Sequence, residues 1–114
     1  LTESMISILG FLGGEKPADL ADLSRFKRGS EPIRGPEPDL IKAAELMDAY
    51  GKLHQAVLEK VAPMTAADFD EEIPGFGRPA RRGWMLFFME FHHAYHIGQL
   101  ELLRNLAGHT EKII

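Results

Sequence analysis

Three of the five histidines, His92, His93 and His96, fall within residues 92–96. They lie inside FFMEFHHAYHIGQLELLRNLAG, residues 87–108, which carries the apolar periodicity of a long helix. Histidine is neither a strong helix former nor a common core residue, so its clustering here asks for a chemical reason. On a helical wheel Met85, Phe88, Met89, His92, His96, Gln99, Leu103 and Leu106 share one face, while Glu90, His93, Glu101 and Arg104 look the other way. His92 and His96 are therefore expected to project inward and His93 to be solvated. Two imidazoles four residues apart stand about 6 Å apart at Cβ and can converge on one ion. The alternative is a pair of core histidines, each hydrogen-bonded within the fold. Burying both without partners would cost several kcal/mol, a penalty that a metal removes. Gln99, one turn on, suits a donor behind the ligands or an amide in a ligand pocket.

The pair is not the helical zinc-peptidase motif. His93, not a glutamate, follows His92, so the general-base carboxylate of HExxH is missing. Two histidines are also too few, because a functional divalent site uses at least three protein ligands and an open position. The chain has no cysteine, which leaves His, Asp and Glu as ligands. Among these, His54 falls with the apolar side of its helix and is the first candidate. Its bland alternative is a core histidine bonded to a carbonyl or to Tyr95. Glu3 lies off an apolar stripe and His109 lies beyond a helix end, so both are expected in solvent.

The elements that must position these residues read as helices. Leu1, Met5, Ile8 and Leu12 recur on one face, and Gly13-Gly14 stop that helix. It begins without a capping residue, so an N-terminal piece is expected to be missing. A proline-rich connection over residues 15–38 follows, with a short helix expected over residues 18–26. Its length suggests a crossover between helices that are not hairpin neighbours. A second long helix is expected over residues 38–62, with Leu40, Ala43, Met47, Tyr50, Val57, Leu58 and Val61 on its apolar side. The link PGFGRPARRG, residues 74–83, brings Arg78, Arg81 and Arg82 before the last helix, expected over residues 84–107. Arg78, Arg81 and Arg82 could receive an anionic substrate or a thiol's carboxylate; a solvated basic loop is the simpler reading. No long strand pattern or repeat occurs. Three long helices, with a fourth implied upstream, predict an all-α helical bundle.

Composition narrows the partners. Thirteen basic against seventeen acidic residues give a net charge of −4, which argues against nucleic acid. No apolar run approaches the roughly 20 residues that span a membrane, and no signal peptide is evident, so a cytoplasmic protein is expected. At 114 residues the chain is one domain, 1–114.

The segment HHAYHIGQLELLRNLAG resembles the C-terminal signature of the DinB superfamily, including its YfiT-like metal-dependent enzymes. His92, Tyr95, His96, Gly98, Gln99, Leu100, Leu103, Arg104 and Gly108 match in register. The resemblance extends more loosely over the chain, through the first helix, the crossover and the turn from Thr65 to Phe69. It implies a four-helix bundle holding a divalent ion, zinc or nickel, on three histidines. Two match His92 and His96; the third would fall just upstream of Leu1, with His54 as the fallback. It also implies a small-molecule substrate. The chemistry would be that of a hydrolase, a small-thiol-dependent S-transferase or a maleylpyruvate-type isomerase, using a Lewis acid that makes a nucleophile from water or thiol. A reading of another class is a non-catalytic bundle, possible as a homodimer, with structural histidines.

Overall fold

The computed structural model describes residues 1–37 and 39–111. Helix α1 (Thr2–Phe11) buries Met5, Ile8 and Leu9, and Leu12 just beyond it, as its apolar stripe requires. Gly13 ends it with φ +69°, and the Gly14 N–H returns to the Leu9 carbonyl at 2.9 Å. Gly14 is also dictated by space: a Cβ there would stand 2.5 Å from Leu9 Cδ1 and 3.2 Å from the Leu9 carbonyl oxygen.

The connection that follows holds one 3₁₀ turn, Ser24–Phe26, in place of the helix expected over residues 18–26. The Asp22 carboxylate accepts from Ser24 N–H and Oγ–H, which offers the backbone a turn instead of a helix. Leu20 and Leu23 are buried, so the connection supplies part of the core.

Helix α2 (Ala43–Val61) starts later than expected. Pro38, its anticipated first residue, lies outside the described residues, and Leu40 and Ile41 are not helical. The Glu45 carboxylate takes the Lys42 N–H at 2.9 Å and fixes the start. Ala49 and Leu53 are buried, with Leu46, Tyr50 and Val57 partly so, whereas Met47 and Leu58 are exposed. The buried face is thus turned by about a quarter turn from the one read off the sequence.

Helix α3 (Ala66–Asp70) is capped by Thr65, whose N–H and hydroxyl both donate to Asp68 Oδ2 at 2.7 Å. Strands β1 (Glu72–Ile73) and β2 (Ala80–Arg81) then pair antiparallel, a short hairpin that the sequence did not announce. Helix α4 (Arg82–Leu106) has 25 residues, about 37 Å of helix. Arg82 is not the solvated loop residue expected. Its guanidinium donates to the carbonyls of Phe11 at 2.9 Å and Asp68 at 2.6 Å and pairs with Glu71 at 2.8 Å. It thereby fastens the end of α1 and α3 to the start of α4.

Helix α1 packs against both α2 and α4 and so lies at the centre. Among the described residues there are four helices, one of them only five residues long, and no helix long and apolar enough to cross a membrane. The far half of α4 projects, with Leu100, Leu103 and Leu106 exposed, in a molecule 46 Å long.

Candidate metal centre

Helix periodicity puts His92 and His96 one turn apart on α4, both half-buried. The Phe88 ring stacks over His92 with centroids 6.4 Å apart, and Tyr95 meets His96 edge-on. The two imidazoles stand perpendicular, with their Nε2 atoms 3.0 Å apart. Gln99 Oε1 lies 2.7 Å from His96 Nδ1. An amide oxygen only accepts, so His96 carries its proton on Nδ1 and keeps the Nε2 lone pair. That lone pair can accept a His92 Nε2–H; as a ligand His92 carries its proton on Nδ1 instead, which leaves both Nε2 lone pairs for an ion. Gln99 is therefore an acceptor that fixes a tautomer, not the donor the sequence suggested.

The pair fits a divalent ion as two adjacent ligands. Zinc–nitrogen bonds of about 2.0–2.1 Å place two such nitrogens roughly 2.8–3.4 Å apart for angles between 90° and 110°. Imidazole nitrogen is a donor that zinc and nickel accept well, and the Nδ1–H to carbonyl bond is the support a ligating histidine commonly has. Among the described residues no group of three His, Asp or Glu converges to complete the set. His54, the candidate third ligand within the chain, is exposed and stacks on Tyr50 with centroids 6.3 Å apart. The quarter turn of α2 that exposes Met47 carries His54 outward too.

His93 is the second correction. It is 6% exposed, not solvated, and continues the buried line of Met85 and Met89. The wheel face ran through Leu103 and Leu106, which are exposed, whereas the buried seam follows Met85, Met89 and His93 at i, i+4, i+8 and leaves His92 and His96 on its shoulder. Burial holds the His93 imidazole below the usual histidine range and so neutral. Its Nε2 is buried with no partner among the described residues.

Beside His96 opens a cleft of about 440 Å³. Glu3, Phe26, Leu46, His96, Gln99 and Leu103 line it, so α1, the connection, α2 and α4 all contribute. Glu3 was expected in solvent; it is half-buried here. No spacing rule could have found it, because its neighbours come from the far end of the sequence.

Arg78 and Arg81 are exposed at the opposite end of α4, around a separate cleft with Phe76 and Trp84. Arg81 pairs with Asp70 at 3.3 Å. Fifteen helical residues separate it from His96, about 22 Å along the axis. The structure does not bring these arginines to the histidines.

Residues 5–100 match the family model of the DinB superfamily, most of the chain. The chain belongs to the DinB superfamily. The matched region of this DinB-superfamily chain includes His92, His96 and Gln99 and begins just after Glu3. No curated protein matches it. No solved structure matches it either. Membership accounts for the helical fold and leaves the reaction open, since one fold hosts many chemistries.

Proposed function

We propose that this DinB-superfamily protein binds a divalent ion, zinc or nickel, at His92 and His96 and acts as a hydrolase or small-thiol S-transferase on a small electrophile. The observation that carries the reading is the 3.0 Å approach of the two Nε2 atoms with Gln99 holding His96 from behind. A third donor is taken from the family pattern, in which a histidine precedes the helix equivalent to α1. His92 and His96 would hold the ion, which would supply Lewis acidity of the kind that lowers the pKa of a water or thiol. The chain's own contribution is to fix the His96 tautomer, shield one side of His92 with Phe88, and offer the adjoining cleft to a substrate. Elemental analysis of the native protein and a His96→Ala variant, both purified without nickel resin, tests the assignment. Near-stoichiometric metal lost in the variant is expected; equal metal in both, or none in either, overturns it.

A second reading has its own observation. Trp84, Phe87, Phe91, Tyr95, Leu102 and Leu106 form an exposed stripe along α4, from 52% exposed at Trp84 to 76% at Leu106. Large apolar side chains each have roughly 150–250 Å² to bury, so six of them more than half exposed present about 600–800 Å². A standard interface takes about 800 Å² from each partner. A homodimer joined along this stripe, with the histidines in a structural role, is the non-catalytic alternative.

A further inference from the structure

The cleft at the start of α4 is built by one short stretch of chain, residues 76–85. Phe76, Arg78, Pro79, Arg81, Trp84 and Met85 line about 480 Å³, within the range of small-molecule pockets, roughly 300 to 1,000 Å³. The turn between β1 and β2 sets its shape. Gly77 holds φ +79°, and a Cβ on Gly75 would stand 2.7 Å from the Arg78 carbonyl oxygen and 3.2 Å from Met85 Sδ, so the turn lies pressed onto α4. Pro79 disfavours a helical backbone at Arg78. One ring steadies both aromatic walls from behind: Trp84 stacks on Phe88 with centroids 5.5 Å apart, and Phe76 meets Phe88 at 5.7 Å. Both walls keep more than half of their surface exposed. They are therefore in place before a ligand arrives, which lowers the ordering cost of binding.

The charge of the lining has one sign. It holds two guanidiniums and no carboxylate, in a chain of net charge −4. Arg81 reaches Asp70 at 3.3 Å with both groups in solvent, a contact worth little, and Arg78 makes no ion pair among the described residues. The first turn of α4 carries no acidic residue and no side-chain cap, which also favours an anion at this end. Guanidinium takes a carboxylate in a planar fork, and aromatic rings take a flat hydrocarbon body. A singly charged carboxylate costs less to bring against hydrocarbon than a phosphate dianion does. We infer that this cleft is a second binding site, for a small aromatic carboxylate whose ring lies against Phe76 and Trp84 and whose charge is held by Arg78 and Arg81. About 22 Å of helix separates Arg81 from His96, so the site stands whether or not the histidines hold an ion. Amines are repelled there, and an uncharged analogue binds through its ring alone.

Trp84 is the chain's one tryptophan, so its emission reads the cleft directly. Phenylacetate, phenethyl alcohol, phenethylamine and acetate are titrated into the whole chain, followed by that emission and by calorimetry. Phenylacetate is expected to bind about tenfold more tightly than the alcohol and more tightly still than the amine, with acetate too weak to register. Arg78→Gln combined with Arg81→Gln should bring phenylacetate down to the alcohol, and Phe76→Ala should weaken both. His96→Ala, treated with chelator, should bind as the native protein does. Circular dichroism melts check that each variant folds. Phenylacetate bound no better than the amine, no binding by either readout, or a double arginine variant that binds normally overturns the inference. So does a loss of binding in His96→Ala, which would place the ligand at the histidines. Trp84 also heads the exposed stripe of α4, so Phe91→Glu is titrated as well; binding confined to that variant would show that a second copy fills the cleft, and would overturn the inference too.

Discussion

The Gln99 amide acts on His96 through a single 2.7 Å hydrogen bond, and that bond decides which imidazole nitrogen is free. Gln99→Leu should leave the fold intact, since the side chain is exposed, while lowering zinc affinity about 10- to 100-fold. Competition against a chromophoric chelator measures this; unchanged affinity would mean that the carbonyl plays no part. His93 presents the opposite situation, a buried nitrogen with no partner among the described residues. His93→Leu removes that atom and keeps similar volume, so stability is expected to rise by about 1 kcal/mol, a melting shift of roughly 4 °C. A fall in melting temperature would show that His93 makes a contribution its surroundings do not reveal.

At the α3 cap, Thr65 donates twice to Asp68, and the bonds from the Thr65 side chain and then its backbone hold the Asp68 carboxyl below the usual carboxylate range. A carboxylate depressed in the folded state leaves the unfolded chain binding more protons. Its stabilisation is therefore complete above the unfolded value near 4 and is lost as pH falls through the lower folded value. Asp68→Asn should flatten the acid limb of a melting-temperature profile over that window; an unaltered limb would place the acid sensitivity elsewhere. The same scale shows what the sequence made legible. Helix α1 was readable because its stripe is nearly all buried and glycines stop it. The residue pair on α4 was readable because spacing four is a property of any helix. The direction that pair faces was not, since the wheel set exposed Leu103 and Leu106 on one face with buried Met85 and Met89. The β1–β2 hairpin was hidden by its brevity, two residues a side offering no alternation. Glu3 came to the cleft through tertiary packing, which local pattern does not encode.

In the whole molecule, α4 is longer than the elements that cover it, and its exposed aromatic stripe runs a quarter turn away from the histidines. If the stripe joins two copies, sedimentation should show a dimer that Phe91→Glu weakens by about thirtyfold or more. A native protein that sediments as a monomer at tens of micromolar would remove the dimer reading and leave the metal site untouched. The Arg82 clamp carries a consequence for the order of events in folding. Its bond to the Phe11 carbonyl joins positions 71 residues apart, while the turns of α4 form between neighbours. Closing so long a loop comes after local helix formation, so the clamp should be absent from the folding transition state. Arg82→Met should accordingly accelerate unfolding while leaving the refolding limb of the chevron nearly unmoved, so that the residue governs how long the native state lasts more than how quickly it is reached.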